Sequence, residues 1–177
     1  LQRGQAVFVN GGSGGVGSFA TPIACAMGAH VSAVTSGRNA DFVRSLGAVE
    51  VLDYKTEDVF RGPRRFDIVF DTIADQSFRR WSAALNEDGV LVTVNPIIGK
   101  LLPRILTKML GINRLESFFV EPDADGLSRL AELIASGELT PQIEAAFPLN
   151  EAAKAQQMSE SGRVRGKIVL TQSDVKL

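Results

Sequence analysis

The sequence predicts a doubly wound parallel α/β sheet (a Rossmann fold), and three observations lead to that fold class. Residues 6–35 form one strand–helix–strand pattern, in which an apolar run (AVFVN), a glycine-rich turn, a helical stretch and a second apolar run (HVSAVT) follow one another. Short apolar runs without polar alternation are typical of parallel strands that are buried on both faces. Similar runs alternate with helical segments along most of the chain, as a parallel sheet requires.

A glycine-rich turn, GGSGGVG at residues 11–17, follows the first strand. Gly12-x-Gly14-x-x-Gly17 matches the dinucleotide fingerprint: the first glycine permits the tight turn, the second lets a pyrophosphate approach the backbone, and the third lets helix and strand pack closely. The helix that follows would offer free N–H groups and the positive end of its dipole. We therefore predict a dinucleotide site here, the alternative being a glycine-rich turn that binds no ligand.

The end of the second strand indicates which dinucleotide would bind. An Asp or Glu usually holds the free ribose 2′-hydroxyl of NAD at this point. Residues 35–39 (TSGRN) contain no acid, and Ser36 and Arg38 can both donate hydrogen bonds to a phosphate. We therefore predict NADP(H). The alternative is that Arg38 is a solvated surface residue and that Asn39 caps the helix beginning at Ala40.

The remaining segments continue the alternation of strands and helices. Strands are predicted at residues 49–54, 66–72, 89–94 and 114–120, helices at residues 40–46 and 76–85, and a turn at residues 86–89. Tyr54 ends the third strand, either beside the adenosine site or as a half-buried surface aromatic. Thr72 and Ile73 end the fourth strand, at the carboxyl edge where open α/β sheets bind ligands.

The last third of the chain contains two more helical patterns. Asp123 or Asp125 is predicted to cap a helix that runs to about residue 136. After an extended segment at residues 139–147, Asn150 is predicted to cap a helix over residues 151–160. Residues 161–171 are predicted to form a turn and a final strand.

Composition and charge narrow the classes of protein. The chain has 177 residues, 45% of them hydrophobic, and a net charge of −1, which suits one globular domain and gives no sign of a nucleic-acid partner. No apolar run approaches the roughly 20 residues of a membrane span. Cys25 and His30 stand alone, so neither a disulfide nor a zinc site is expected within the chain, and a cytoplasmic setting is expected. The start without Met, close to a core strand, predicts that the chain begins inside a larger protein.

Five stretches, in order over nearly the whole chain, carry a family resemblance: GQAVFVNGGSGGVGSFA, SLGAVEVLDY, FDIVFDT, LIASGELTPQIEAAFPLNEAAKAQQ and RGKIVL. On these stretches the chain resembles the C-terminal half of the medium-chain dehydrogenase/reductase superfamily, in its quinone oxidoreductase-like branch. The resemblance implies a cofactor domain at residues 1–141. Residues 142–177 would be a returning segment and tail that complete a GroES-like domain outside this chain.

The resemblance also implies an activity and partners. The whole protein would transfer a hydride from NADPH to a quinone or an α,β-unsaturated carbonyl compound, without zinc, and this chain alone would be inactive. Two cofactor domains could join edge to edge through residues 114–120 to form a homodimer. No catalytic residue and no metal ligand is predicted in this chain.

The same resemblance assigns cofactor contacts. The residues implied to contact the pyrophosphate are Gly12, Ser13, Gly14, Gly15, Val16 and Gly17, and those implied to lie at the 2′-phosphate are Ser36, Arg38, Asn39 and Tyr54. The residues implied to contact the ribose and nicotinamide are Thr72, Ile73, Val94, Asn95, Phe118, Phe119 and Val120. Two further residues, Arg165 and Lys167, are implied to lie close to the cofactor.

Rival classes fit the residues less well. A short-chain reductase needs a lysine four residues after its catalytic tyrosine, but the only tyrosine, Tyr54, is followed by Asp58 at that spacing. A methyltransferase usually has an acid at the end of the second strand, and residues 35–39 have none. A non-catalytic NADP(H) sensor or structural module on the same fold remains open, because a fold alone does not establish catalysis. Turnover by the whole protein would distinguish a reductase from such a non-catalytic module.

Overall fold

Six parallel strands form the main sheet of the computed structural model, which describes residues 1–61, 63–94, 114–117 and 123–172. Their order across the sheet is β3-β2-β1-β4-β5-β6, so the direction of strand addition reverses between β1 and β4. That reversal is the switch point of a doubly wound sheet, and the predicted fold class is confirmed. The strands are β1 (Ala6–Asn10), β2 (His30–Thr35), β3 (Glu50–Asp53), β4 (Phe66–Asp71), β5 (Leu85–Thr93) and β6 (Arg114–Ser117).

Helices connect the strands, and a second, smaller sheet ends the fold. Strands β7 (Ile143–Pro148) and β8 (Lys167–Thr171) pair in parallel, and β8 is the predicted final strand. The described helices are α1 (Gly17–Ala26), α2 (Ala40–Ser45), α3 (Phe78–Ser82), α4 (Ala124–Ala135) and α5 (Ala152–Glu160). None of these described helices is long and apolar enough to cross a membrane.

The hydrophobic core lies on both faces of the main sheet. Phe8 packs with Phe66 and Trp81 on one face, whereas its neighbours Val7 and Val9 join the cluster on the opposite face. Residues 7–10 of this strand are therefore buried, which explains why residues 6–9 form a continuous apolar run. Trp81 is only 1% exposed, so its side chain belongs to the core.

The predicted turn at residues 86–89 is wrong, because β5 already begins at Leu85. The pairing of β5 with β4 shifts register after Phe66↔Leu85, so residues 86–89 form an irregular part of the strand. Asn86 Nδ2 donates to Asp67 Oδ1 at 2.6 Å and holds this part against β4. The predicted helix at 76–85 is correspondingly shorter, since α3 ends at Ser82.

Of the two helix caps predicted in the last third of the chain, one is confirmed and one is wrong. The Asp123 side chain accepts a hydrogen bond from the Asp125 N–H at 3.1 Å and caps α4. Asn150 does not cap α5, because the chain first makes a 3-10 turn at Leu149–Glu151 and places Glu151 at the N-cap position. The Glu151 carboxylate instead pairs with Lys154 Nζ at 2.6 Å.

Candidate functional site

The tight bend of the glycine-rich turn lies at Gly11, one residue earlier than predicted. Gly11 has a φ of +86°, and a Cβ there would lie 2.6 Å from Thr72 Oγ1. The expected role of Gly12 therefore changes: a Cβ on Gly12 would lie 2.9 Å from Ala33 Cβ. Gly12 lets the turn pack directly against β2, while Gly11 supplies the left-handed conformation that favours glycine.

The second half of the turn opens α1 and leaves backbone donors available. A Cβ on Gly17 would overlap the Gly11 carbonyl oxygen, so the close approach of helix and strand end depends on this glycine. Within the described residues, the N–H groups of Gly15 and Val16 have no hydrogen-bond acceptor. Unpaired N–H groups at the start of a helix are suited to bind an anion.

A cleft of about 700 Å³ lies at the carboxyl ends of strands β1 to β4, in front of the glycine-rich turn. The predicted edge of the sheet therefore carries a concave site, in the place where open α/β sheets bind ligands. Its lining residues come from five segments: Asn10, Gly11, Ser13 and Gly14 from the glycine-rich turn; Val34, Thr35, Ser36, Arg38 and Asn39 from the end of β2; Tyr54 and Lys55 after β3; Ile73, Asp75 and Gln76 after β4; and Gly162, Arg163 and Val164 before β8.

The charged residues in this cleft are mostly basic. Arg38, Lys55 and Arg163 line it together with a single acid, Asp75. A second acid, Asp53, lies nearby at the end of β3, where a Cβ on Gly37 would be 2.5 Å from its Oδ2. Asp53 does not line the cleft, and its Oδ1 accepts the Lys55 N–H at 3.0 Å. The balance of charge favours a ligand with a phosphate at this end.

Ser13 connects the glycine-rich turn to the end of β2. Its Oγ accepts a hydrogen bond from Thr35 Oγ1 at 2.7 Å and another from Asn39 Nδ2 at 3.2 Å. Asn39 occupies the N-cap position of α2, but its side chain makes no cap hydrogen bond. The alternative that Asn39 caps this helix is therefore wrong, because its amide group is used for the turn instead.

The end of β4 is organised by a buried carboxylate. Asp71 is 1% exposed and accepts hydrogen bonds from Asn10 Nδ2 at 2.8 Å and Trp81 Nε1 at 3.1 Å. The predicted contact residue Thr72 donates its hydroxyl to the Asn10 carbonyl at 2.6 Å. Ile73, by contrast, is 55% exposed and faces the cleft.

Two predicted contacts from the C-terminal segment lie in different places. Lys167 Nζ is at the glycine-rich turn, 3.2 Å from where a Cβ on Gly15 would be. Arg165 lines a neighbouring cleft of about 390 Å³ and pairs with Glu144, with 3.6 Å between Nε and Oε1. Lys167 therefore lies at the predicted pyrophosphate site, whereas Arg165 lies in the neighbouring cleft, paired with Glu144.

Several predicted contacts lie elsewhere. Val94 is 38% exposed at the end of β5, and its N–H donates to the Asp71 carbonyl at 3.3 Å. Four others lie outside the described residues: Asn95, Phe118, Phe119 and Val120.

Six residues line the cleft that the sequence pattern had not indicated: Lys55, Asp75, Gln76 and residues 162–164. Lys55 could have been found, because it directly follows Tyr54 at a strand end, and so could Asp75 and Gln76 after β4. Nothing in the local sequence signals that residues 162–164 lie opposite the glycine-rich turn, since that position depends on the tertiary docking of β8.

The described residues contain no cluster of three or more His, Cys, Asp or Glu side chains that could hold a metal ion. Cys25 lies on α1, where its Sγ is 3.3 Å from the Gly47 carbonyl oxygen, and burial raises the pKa of its thiol. His30 is exposed at the start of β2. The residues that the structure describes do not provide a ligand set for zinc.

The topology and the cleft define the class of protein as a Rossmann-type nucleotide-binding domain. A family model described as zinc-binding dehydrogenase matches residues 46–170. The chain belongs to this family, and it corresponds to the C-terminal, cofactor-binding half of the medium-chain dehydrogenase/reductase superfamily, in its quinone oxidoreductase-like branch. The predicted resemblance is therefore confirmed.

Individual relatives agree with this assignment. The chain is 33% identical to the mitochondrial NAD(P)H oxidoreductase RTN4IP1 of Mus musculus, over 95% of this chain and 48% of that protein. It is 32% identical to the chloroplastic quinone-oxidoreductase QR1 of Triphysaria versicolor, over 93% of this chain and 51% of that protein. The quinone oxidoreductase from Coxiella burnetii superposes with a TM-score of 0.87 at 28% identity, over 98% of this chain and 54% of that one.

This chain spans about half the length of the curated relatives that it matches. The names of these two relatives place them in mitochondria and chloroplasts, so the expected cytoplasmic setting stays a prediction.

Proposed function

We propose that this chain is the NADP(H)-binding part of an oxidoreductase that reduces a quinone or an activated C=C bond. The observation that carries the proposal is the cleft at the carboxyl edge of the sheet, where a glycine-rich turn with unpaired N–H groups faces a largely basic loop region. The turn is suited to a pyrophosphate, and the basic region is suited to a phosphate on the adenosine ribose.

The selectivity for NADP(H) rests on the side chains after β2 and β3. Ser36 and Arg38 face the cleft from one strand end, and Tyr54 and Lys55 face it from the next. Hydroxyl, guanidinium and ammonium groups are donors to a 2′-phosphate, whereas a free 2′-hydroxyl is usually held by an acid. Residues 35–39, at the end of β2, contain no acid, and Asp53 lies outside the cleft-lining set.

The proposed reaction follows from the family and from the substrates that its members are named for. One relative is named a quinone-oxidoreductase, and another, from Aspergillus terreus at 34% identity, is named a trans-enoyl reductase. When bound, the nicotinamide would supply the hydride, and the protein would orient the ring and exclude water. In this chain the ends of β4 and β5, with Thr72, Ile73 and Val94, would meet the ribose and nicotinamide, together with Asn95 and residues 118–120.

The reaction would also need a part of the protein outside this chain. We propose that residues 1–141 form the cofactor domain and that residues 142–177 return to a GroES-like domain, which would supply the other wall of the substrate pocket. The separate pairing of β7 with β8 and the half-length coverage of the relatives support this division.

Calorimetric titration of the protein with NADPH and NADH tests the cofactor assignment. We expect NADPH to bind more tightly, and Arg38→Ala to weaken NADPH binding roughly 10- to 100-fold while leaving NADH binding nearly unchanged, since one charge-assisted contact is lost. Arg44→Ala is the matched control, because Arg44 lies on α2 and pairs with Asp41 at 2.8 Å, away from the cleft. Failure to bind either nucleotide, or a preference that survives Arg38→Ala, would contradict the assignment.

Turnover by the full-length protein separates the reductase from the non-catalytic sensor. With NADPH and either a quinone or an enone, a reductase oxidises NADPH in step with loss of the acceptor, and the 177-residue chain alone does not. Tight NADPH binding without turnover on either acceptor class would instead support a sensor or structural module. Comparable turnover by the isolated chain would contradict the proposal that the missing domain completes the pocket.

A further inference from the structure

We propose that a second cleft, next to the cofactor cleft, binds a small organic molecule that carries a phosphate, and that this anion weakens the binding of NADPH. The second cleft is the cavity of about 390 Å³ that Arg165 lines. Its walls come from the residues before α2, from β7, and from the end of α5 with the turn after it. The effect on NADPH rests on the proposed function, whereas the binding of the anion does not.

The second cleft is a different cavity from the cofactor cleft. Four residues line both cavities and so form the wall between them: Arg38, Asn39, Arg163 and Val164. Among the described residues, the glycine-rich turn and Tyr54 line only the cofactor cleft, whereas Glu144 and Met158 line only the second cleft. A ligand in one cavity therefore leaves the volume of the other free, although both ligands would meet Arg38.

Basic side chains dominate the second cleft. The guanidinium groups of Arg38, Arg163 and Arg165 line it together with one carboxylate, that of Glu144. Within the described part of the chain, Arg38 Nη2 donates only to the Arg163 carbonyl, at 3.4 Å, and the Arg163 guanidinium has no hydrogen-bond or ion-pair partner. Two guanidinium groups without a carboxylate partner, at one concave surface, are suited to bind a phosphate.

Arg165 is oriented at this cleft by two neighbours. Its guanidinium carbon lies 5.6 Å from the centre of the Phe42 ring, and its Nε is 3.6 Å from Glu144 Oε1. These contacts restrict the side chain, while its two Nη groups have no hydrogen-bond acceptor among the residues that the structure describes. An arginine that is oriented before its ligand arrives loses less entropy on binding. This position suits an anion in the second cleft.

The other surfaces of the second cleft also suit a small organic phosphate. The Met158 carbonyl, at the end of α5, already accepts the Ser161 N–H at 3.3 Å and the Ser161 hydroxyl at 2.6 Å, so it does not face an anion unpaired. The side chains of Met158 and Val164 give the cavity an apolar part. A volume of about 390 Å³ is at the lower end for small-molecule sites, so it suits a phosphate on a short carbon chain.

Arg38 couples the two clefts, because it lines both of them. In the cofactor cleft its guanidinium is proposed to bind the 2′-phosphate of NADPH, and in the second cleft the same group would meet the second anion. Two anions that share one guanidinium lie close enough to repel each other, so each lowers the affinity for the other. NADH lacks the 2′-phosphate and is not opposed in this way.

Calorimetric titration of the full-length protein with inorganic phosphate and with glycerol 3-phosphate tests the site, at an ionic strength held constant with sodium chloride. We expect Met158→Glu to weaken both ligands by roughly 10-fold, because a carboxylate enters the cleft. Glu144→Gln should strengthen both several-fold, because a carboxylate is removed. Met158→Gln is the matched control, since it has a similar length and no charge, and it should bind both ligands as the wild type does.

Three outcomes of these titrations would contradict the inference. Equal phosphate affinity in the wild type, Met158→Glu and Glu144→Gln would mean that phosphate binds elsewhere, for example at the glycine-rich turn. Absence of binding of both ligands at millimolar concentrations overturns the site, and it leaves the proposed function intact if NADPH binds. Weaker binding of glycerol 3-phosphate than of inorganic phosphate overturns the assignment to an organic phosphate.

Titrations with NADPH and NADH, with and without saturating glycerol 3-phosphate, test the coupling. We expect the ligand to weaken NADPH roughly 3- to 10-fold, with a loss that levels off, and to leave NADH unchanged. Met158→Glu should lose this dependence and still bind NADH as the wild type does, which also shows that the variant is folded. A loss of NADPH affinity that persists in Met158→Glu overturns the coupling. A wild-type protein that binds neither nucleotide contradicts the proposed function, while the phosphate titrations still decide the site.

Discussion

At the scale of single residues, Asp71 determines the shape of one wall of the cleft. Besides Asn10 and Trp81, its carboxylate accepts the N–H groups of Ile73 at 3.2 Å and Ala74 at 2.9 Å. Ala74 has a φ of +61°, a conformation that is unfavourable for a residue with a Cβ. The hydrogen bonds to Asp71 stabilise this bend, which turns Ile73 towards the cleft.

Asp71→Asn should destabilise the protein. The new amide group would place a donor among groups that all donate, so we expect the free energy of unfolding to fall by about 2–3 kcal/mol. Urea denaturation followed by the fluorescence of Trp81, the only tryptophan, measures this change. Asp41→Asn is the control, because Asp41 is fully exposed in its pair with Arg44. A loss no greater than in that control would show that the Asp71 hydrogen bonds contribute little.

At the scale of elements, the glycine-rich turn depends on a second turn far away in the chain. Gly166 has a φ of +68°, and a Cβ there would overlap the Gln142 carbonyl oxygen and lie 2.8 Å from Gln142 Cβ. The bend before β8 therefore needs glycine, and it brings the Gly166 N–H to Ser13 and the Lys167 ammonium to Gly15.

Gly166→Ala should weaken both cofactor binding and folding. We expect roughly a 10-fold loss of NADPH affinity, because the displaced turn no longer holds the Ser13 carbonyl. Gly137→Ala provides a sharp control: it has a similar φ of +80°, but nothing lies within 4 Å of its added Cβ. The two variants share the backbone strain and differ in the collision. Equal NADPH affinity in the two variants would contradict a role for this turn in binding.

The strand bounds show which parts of the fold can be predicted from the sequence. The bounds of β1 and β2 agree with the prediction, because Gln5 and Gly11 flank the first apolar run, and the polar residues His30 and Ser36 mark the two ends of the second. The irregular start of β5 was missed, since Asn86 and Gly89 signal a turn locally, and only the contact with Asp67 keeps them in the sheet.

The residues of the candidate site likewise include some that the sequence predicts and some that it does not. Ser36, Arg38, Tyr54 and Ile73 line one cleft, as expected from their positions at the carboxyl ends of parallel strands. Arg163 could not be placed in the same way, because its position depends on the docking of the C-terminal strand pair against the main sheet.

At the scale of the whole molecule, the main sheet has two edges among the described strands, β3 and β6. β6 pairs in parallel with β5 and has no second neighbour in the described sheet. An unpaired strand edge offers backbone donors and acceptors to another chain. We propose that a second copy pairs there, which would give a homodimer with one continuous sheet.

Light scattering and hydrogen exchange test the dimer. We expect twice the mass of one chain at micromolar concentrations, and protection of the β6 amides that decreases on dilution. The amides of β3 serve as the internal control, because they occupy the opposite edge and should exchange at a rate that does not depend on concentration. A monomeric mass at all concentrations, or equal behaviour of the two edges, would contradict pairing through β6.

The hydrogen bond between Gly166 and Ser13 has a consequence for biosynthesis, because more than 150 positions separate its two partners. Strands β1 to β5 can pair while later residues are still on the ribosome, since domains fold progressively as they emerge. The glycine-rich turn receives its last support only after residue 166 has left the exit tunnel. A nascent chain would thus acquire its sheet early and its ability to retain a nucleotide late, so premature termination before β8 would yield folded but cofactor-poor protein.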